Sequence, residues 1–300
     1  MPAPLRKKTV LITGCTPGGI GHALCLAFHE QGLCVIATAR RPETMDDLRQ
    51  LGIITLALDV TREESIAACE REVHQFAGGK LDILVNNAGL PHTIPATDID
   101  IQDVRLTFET NVFGVMAMVQ AFVPLLIPAR GLIIMMSSVA SVSPYVFGSV
   151  FCASKGAINS YSRTLRQELR PFGVRVMVCM AGTIKTSIPK RSRELLPHSI
   201  YQQAKELFER KLQYSKSTAS MTAEEFSRQL VREALKGEGW FGGWIKRTPD
   251  WYWSGGSAWP IWAVRRIFGE WLLDHIAYRK FGLPQLEAAV ATAGSKSKTS

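Results

Sequence analysis

The run Thr9-Val10-Leu11-Ile12-Thr13-Gly14-Cys15-Thr16-Pro17-Gly18-Gly19-Ile20-Gly21 joins a strand-length apolar segment to a turn that contains four glycines. A segment with helical periodicity follows the turn. A glycine-rich turn between a strand and a helix lets the backbone approach a phosphate, and the helix N-terminus supplies amide donors and a positive dipole. The run therefore predicts a phosphate-binding turn at the start of an α/β unit.

Apolar runs of strand length alternate with longer helical patterns as far as residue 180. The predicted strands are residues 9–13, 34–38, 53–58, 83–85, 131–136 and 174–180, and the predicted helices are residues 19–31, 42–50, 62–76, 103–126 and 150–171. Strands without polar alternation suit a parallel sheet that is covered on both faces. Their alternation with helices implies right-handed crossovers. We therefore predict an α/β, doubly wound parallel-sheet Rossmann fold.

The composition bounds the function. The 300 residues, 46% of them hydrophobic, suit one large α/β domain. A formal charge of +9 either favours anionic ligands, such as a nucleotide or a phospholipid surface, or serves only solubility. The six cysteines form no metal-binding pattern, so we expect no metal. Lysines and arginines are dispersed and no recognition module is present, so we expect no nucleic-acid partner.

No signal-peptide pattern precedes the first strand, which predicts a cytoplasmic protein. Residues 110–129 and 131–154 carry no charge and are long enough to span a bilayer. Because they also hold Asn, Gln, Ser and Pro, we interpret them as a buried helix and a buried strand with its loop.

The pattern changes after Gly182. We predict a Rossmann domain over residues 1–245, which includes a polar and basic helical substrate lobe at about 187–236. The glycines of residues 237–243 predict a turn and a short edge strand. A Trp-rich, amphipathic C-terminal segment is predicted over 246–290, and a disordered Ser/Lys-rich tail over 291–300.

All seven tryptophans lie between Trp240 and Trp271. In one continuous amphipathic helix, five apolar residues would share a face: Ile261, Val264, Phe268, Trp271 and Leu272. Such a helix with nearby basic residues either lies in a membrane interface or docks on the domain or on a second subunit. A peripheral membrane contact through this segment is our leading interpretation.

The second predicted strand ends at Arg40 and Arg41, where an NAD-selective site would carry an acid for the ribose hydroxyls. Two guanidinium groups can form charge-assisted hydrogen bonds with a 2′-phosphate. This favours NADPH over NADH; the alternative is a solvated pair at the start of a helix.

Further motifs follow in a fixed order: Asp59-Val60, Asn86-Asn87-Ala88-Gly89, Asn111, Ser138 and Ala181-Gly182-Thr183-Ile184-Lys185-Thr186. Together with the glycine-rich turn they resemble the short-chain dehydrogenase/reductase family. The resemblance implies that Ser138 holds the substrate carbonyl and that Asn111 supports the catalytic lysine, Lys155, through water. It implies cofactor contacts by Gly14, Gly18, Gly19, Ile20, Gly21, Arg40, Arg41, Asp59, Val60, Asn87, Lys155, Ile184 and Thr186.

The family's YxxxK signature puts a tyrosine and a lysine on one helix face. Here the run is Phe151-Cys152-Ala153-Ser154-Lys155, so the ring is kept and the hydroxyl is lost. In the family that tyrosine gives its proton to the carbonyl oxygen, a step worth roughly 10²–10⁴ in rate. The alternative proton sources are Tyr145, a water on Ser138 or the substrate itself; for Tyr145 the favoured interpretation is a loop aromatic.

Residues 80–89, 111–114 and 170–176 are similar to fungal NADPH-dependent 1-acyldihydroxyacetone-phosphate reductases, a group that includes tailoring enzymes of fungal secondary metabolism. The leading hypothesis is NADPH-dependent oxidoreduction of a carbonyl or hydroxyl on an apolar substrate, either lipid-like or a terpenoid or polyketide. The alternatives are a catalytically impaired family member that retains cofactor binding and, below it, a non-redox isomerase. Members of the family commonly pair through the predicted helices over 103–126 and 150–171, and the apolar residues 112–127 are compatible with such a homodimer without requiring it. A peripheral position on the cytosolic face of the endoplasmic reticulum or a lipid droplet is the localisation that would go with the membrane interpretation.

Overall fold

The computed structural model describes residues 7–187, 193–237 and 247–296. Its strands are β1 Thr9–Thr13, β2 Cys34–Ala39, β3 Ile54–Ala57, β4 Ile83–Asn86, β5 Leu132–Ser138, β6 Arg175–Ala181, β7 Ile184–Lys185, β8 Met221–Thr222 and β9 Trp251–Ser254. Seven of them form one sheet in the order β3-β2-β1-β4-β5-β6-β9, with every pair parallel. The strand order extends from β1 first to one side, through β2 and β3, and then to the other side, from β4 onward. The point between β1 and β4 where this order reverses is the switch point of a doubly wound sheet. The predicted fold class is confirmed.

Helices cover both faces of this sheet. They are α1 Ile20–Glu30, α2 Asp46–Gln50, α3 Glu63–Ala77, α4 Ile101–Phe108, α5 Gly114–Leu126, α6 Ser149–Leu169, α7 Lys205–Thr218, α8 Ala223–Ala234, α9 Ala258–Phe268, α10 Glu270–Lys280 and α11 Leu283–Lys296. Short 3-10 turns lie at Pro42–Met45, Val139–Ser141, Arg170–Phe172 and Gln202–Ala204, and a π-helical turn spans Glu109–Phe113.

Two apolar layers hold the sheet between the helices. One contains Phe28 of α1 and Phe226 of α8, and the other contains Val73 of α3, Phe122 of α5 and Ile158 of α6. Four of these five side chains are completely buried. Burial of each such side chain is worth about 1.5–3 kcal/mol. Although residues 223–234 were predicted to belong to the lobe, α8 packs on α1 and is part of this core.

The predicted helix over 103–126 is longer than expected and interrupted. It runs from Ile101 to Leu126, and the π-helical turn separates α4 from α5. Among the described residues, this helix alone has the length and composition to cross a membrane. Half of its most apolar window is buried in the protein, against α3 and β4, which agrees with the interpretation of residues 110–129 as a buried helix.

The C-terminal segment differs from the prediction in three places. Gly269, with φ +82°, ends α9 and starts α10, so the predicted continuous face over 261–272 was wrong; glycine adopts such a φ without steric cost. An edge strand lies at Trp251–Ser254, whereas most of the one predicted within 237–243 falls outside the described residues. The alanine-rich α11 reaches Lys296, inside the predicted disordered tail; residues 297–300 are outside the described ranges.

Candidate active site and cofactor cleft

The glycine-rich turn lies at the carboxyl end of β1, where α1 begins. Gly14 and Gly18 have φ values of +74° and +76°, which favour glycine. A β-carbon at Gly14 would lie 2.9 Å from the Cα of Ala88, and one at Gly21 would lie 2.4 Å from the carbonyl oxygen of Gly14. Gly19 is the N-cap of α1 and has no side chain to cover the first amides. The turn is therefore a narrow backbone cradle of the kind that fits a pyrophosphate.

Asn87 fixes this cradle to the neighbouring strand. Its Nδ2 donates to the carbonyl oxygens of Thr13 at 2.8 Å and Gly14 at 3.0 Å. The Oγ1 of Thr13 accepts from the backbone N–H groups of Asn87 at 3.0 Å and Ala88 at 2.9 Å. These four bonds lock the turns after β1 and β4 together, so Asn87 shapes the cleft through backbone contacts.

The segment after β6 closes over the same turn. The backbone N–H of Ser187 donates to the carbonyl oxygen of Gly18 at 3.0 Å. A β-carbon at Gly18 would lie 2.0 Å from the Oγ of Ser187. Ile184 pairs with Met221 in the small sheet of β7 and β8, which holds the segment in place. The predicted contacts Gly18 and Thr186 are thus brought to one end of the cleft, although they are far apart in sequence.

A cavity of about 390 Å³ lies at the carboxyl ends of β2 and β3. It is lined by Arg40, Ala57, Leu58, Asp59, Arg62, Glu64 and Ser65. Two of the predicted cofactor residues, Arg40 and Asp59, are in this wall. Arg41 and Val60 do not line this cavity. The carbonyl oxygen of Arg41 accepts a hydrogen bond from the Thr44 hydroxyl, and Val60 is buried beneath Gly114.

Arg62 was not predicted as a cofactor residue. It is the N-cap of α3, three positions after Asp59, and its exposed guanidinium lies 4.0 Å from the carboxylate of Glu64. Its position in the turn after β3 could have identified it, because the carboxyl ends of all parallel strands lie at the same edge of the sheet.

Lys155 is buried in α6, beside Gly89. Its Nζ donates to the carbonyl oxygen of Met136 at 2.7 Å. Burial lowers the pKa of Lys155 to about 8, because the charged form loses its hydration. The ring centroid of Phe151 is 5.9 Å from this Nζ, so both side chains face one side of α6 as their spacing predicts.

Asn111 lies in the π-helical turn, and π-turns are frequent at functional sites. Its Oδ1 accepts from the N–H of Leu90 at 2.7 Å, and its Nδ2 donates to the carbonyl of Leu90 at 3.0 Å and to the Oγ of Ser154 at 3.0 Å. A β-carbon on Gly89 would lie 3.3 Å from the Oδ1 of Asn111 and 3.6 Å from the Nζ of Lys155. Asn111 and Lys155 therefore flank the same point of the cleft.

Ser138 ends β5 and is half-buried at the mouth of the site. Its Oγ accepts from the N–H of Ala140 at 3.1 Å. A polar chain that the sequence did not predict supports it: Ser137 donates to Asn159 at 2.6 Å, Asn159 donates to Ser141 at 2.7 Å, and Ser141 donates to the carbonyl of Ser138. This chain fixes the loop between β5 and α6, and with it the direction of the Ser138 hydroxyl.

Aromatic side chains cover the lobe side of that loop. Phe147 packs edge-to-face with Tyr201 and Phe208, at ring centroid distances of 5.2 and 5.7 Å. The Nζ of the buried Lys211, on α7, lies 3.1 Å from the ring centroid of Tyr145. Tyr145 also packs edge-to-face on Phe281. The ring of Tyr145 is thus part of this packing, as expected for a loop aromatic.

Comparison with known proteins assigns the chain to the class of protein that the glycine-rich turn, Lys155 and Ser138 indicate. The sequence model for short chain dehydrogenases matches residues 8–196. The chain belongs to the short-chain dehydrogenase family, and its class is that of an oxidoreductase.

Several fungal relatives are similar to the chain. An NADPH-dependent 1-acyldihydroxyacetone phosphate reductase of Schizosaccharomyces pombe is 48% identical over 185 residues, which cover 62% of this chain and 62% of that relative. A short-chain dehydrogenase of Pyricularia oryzae is 36% identical over 97% of this chain and 99% of its own length. The crystal structure of a short-chain dehydrogenase from Streptomyces avermitilis is 25% identical, has a TM-score of 0.74, and matches over 96% of this chain and 99% of its own.

Proposed function

We propose that the protein is an NADPH-dependent oxidoreductase that acts on a carbonyl or hydroxyl group of an apolar small molecule. The observation that carries the cofactor choice is the cavity wall at the ends of β2 and β3, which Arg40 and Arg62 line together with Asp59. A 2′-phosphate fits two guanidinium groups, and the strand end that would carry an acid in an NAD-selective site carries Arg40. The relative from Schizosaccharomyces pombe is named for its NADPH dependence.

The cleft residues divide the chemistry between them. When bound, the nicotinamide nucleotide supplies or accepts a hydride at carbon. The amides of the glycine-rich turn and the N-terminus of α1 hold its pyrophosphate. Lys155, which is buried beside Gly89, holds the ribose, and Ser138 donates a hydrogen bond to the carbonyl oxygen. Phe151 provides no proton, so a water held by Ser138 supplies it more slowly than a positioned hydroxyl would.

The aromatic packing of the lobe supports the proposal of an apolar substrate. Phe147, Tyr201 and Phe208 pack against one another beside the loop that leads to Ser138. Ligand sites are lined mainly by apolar and aromatic side chains, with few polar groups to fix orientation. Either a lipid-like or a terpenoid or polyketide ketone meets this requirement.

The cofactor proposal is tested with Arg40→Ala. We expect the affinity for NADPH to fall about 10- to 100-fold and that for NADH to change little, because a lost hydrogen bond to a charged group is worth about 1.5–3 kcal/mol. Calorimetry with both nucleotides measures this. Arg71→Ala, an exposed arginine on α3, is the matched control and should bind both as the natural chain does. Equal losses for the two nucleotides would contradict NADPH selectivity.

A second candidate function rests on Phe151: a family member that binds cofactor and substrate but turns over slowly or not at all. It is distinguished from the first by turnover of NADPH with a panel of apolar ketones at saturating cofactor. Cofactor binding without any ketone-dependent oxidation would favour this second function.

A further inference from the structure

The helices α9 and α10 expose large apolar side chains to solvent. Five of them form the aromatic face: Trp259, Trp262, Ile267, Phe268 and Trp271, with exposed fractions of 63, 39, 71, 51 and 66%. The rings of Trp259 and Trp262 pack edge-to-face with their centroids 5.2 Å apart, and exposed clusters of large apolar side chains are typical of surfaces that meet a partner.

The face is not needed to fold these helices. Ala258 at the start of α9 is completely buried, and Leu273 and Ala277 of α10 are buried on its inner side. The strand β9, which pairs with β6, attaches the segment to the main sheet just before α9. Folding is therefore served by the inner side, and the outer side remains available to a partner.

The charges around the aromatic face point to an anionic surface. Residues 258–281 hold four basic side chains, Arg265, Arg266, Arg279 and Lys280, against the acids Glu270 and Asp274. Arg265 lies 3.3 Å from Glu270. Trp favours the headgroup level of a bilayer, and each basic residue near an anionic leaflet adds attraction. A second copy of the chain would instead bring this net positive face against itself.

The segment that carries the aromatic face also contacts the substrate lobe through Phe281. Phe281, directly after α10, packs on Tyr145, and the Nζ of Lys211 lies 3.6 Å from its ring centroid. The carbonyl of Tyr145 in turn accepts from the N–H of Gly148, the N-cap of the helix that carries Phe151. The segment that carries the face thus also forms a wall of the substrate lobe.

We propose that the aromatic face docks on an anionic phospholipid bilayer and holds the substrate lobe against it, so that an apolar substrate enters from the membrane. The docking part depends only on α9 and α10. The entry of substrate from the bilayer rests on the proposed function.

Vesicle sedimentation of the full chain tests the docking. With vesicles of phosphatidylcholine and phosphatidylserine in equal parts, the natural chain should bind, and Trp259→Ser/Trp271→Ser should lose at least tenfold in bound-to-free ratio. Arg266→Gln/Arg279→Gln should lose about tenfold on these vesicles and little on phosphatidylcholine alone. The matched control is Phe76→Ser, which removes an exposed aromatic from α3 and should bind normally.

Three outcomes would overturn the proposal. The first is no vesicle binding by the natural chain, and the second is unchanged binding by Trp259→Ser/Trp271→Ser. The third is that light scattering finds the natural chain dimeric and this double variant, alone among the variants, monomeric. NADPH affinity, measured on each variant, reports that the domain is folded. Because that affinity does not depend on docking, failure of the docking and failure of the proposed function are distinguishable.

Discussion

Phe151 stands where the family's signature carries a tyrosine. It lies on the face of α6 that carries Lys155 and differs from the family's tyrosine by one oxygen atom. We expect Phe151→Tyr to raise kcat for an apolar ketone by about 10²–10⁴, because it restores a positioned general acid. NADPH consumption under saturating cofactor measures this. Phe172→Tyr, at an exposed position, should leave kcat unchanged; no gain in Phe151→Tyr would indicate that the pocket has another role.

Lys155 should make the stability depend on pH. Its pKa is about 8 in the folded chain and near 10.5 when unfolded, so the unfolded state binds more protons between these values. Burial of the charged Lys155 therefore lowers the free energy of unfolding most below about pH 8, and this loss shrinks as the pH rises toward 10.5. Between pH 7.5 and 9.5 we expect the free energy of unfolding to rise by roughly 2 kcal/mol relative to Lys155→Met.

Urea denaturation of both proteins at the two pH values provides the comparison. Burial raises the pKa of the Cys69 and Cys179 thiols, which titrate in the opposite sense, but these groups are present in both proteins and cancel. The same pH dependence in both proteins would show that Lys155 is not the cause.

At the scale of elements, Asn111 connects α4 and α5 to the turn after β4. Its amide satisfies both the N–H and the C=O of Leu90. Asn111→Ala leaves these groups without that partner, so we expect the free energy of unfolding to fall by about 2–3 kcal/mol. Thermal or urea unfolding measures the loss. Gln120→Ala, exposed on α5, should change stability by less than about 0.5 kcal/mol; an equal effect of both substitutions would refute the role given to Asn111.

The strands and helices that hold the site follow from local patterns. All six strands predicted from apolar runs are present, since each run is long, β-branched and bounded by turn residues. The strand β9 was not predicted there because Trp251 and Trp253 were assigned to an amphipathic helical segment. Arg62 and the Ser137–Asn159–Ser141 chain were missed because they depend on which loops meet in three dimensions.

At the scale of the whole molecule, the cavity and the segment with the aromatic face lie at opposite edges of the sheet. The ends of β2 and β3 meet the cavity with Arg40 and Arg62, while β9, at the opposite edge, carries the segment with the aromatic face. Cofactor and membrane would thus be engaged at separated places, and neither contact needs to move for the other. Pairing of two copies through the helices over 103–126 and 150–171 stays a prediction; Leu106 and Phe113 of the first of these segments are exposed.

The π-helical turn constrains how the gene can change. The N–H of Gly114 donates to the carbonyl of Glu109, one residue further back than in an α-helix. Loss of a single codon between these positions would restore ordinary α-helical hydrogen bonding and remove the extra residue of the turn, while α4 and α5 would keep their relative orientation. Because Asn111 reaches Leu90 from within the turn, such a deletion would displace the Asn111 amide from Leu90 although the helix itself would persist.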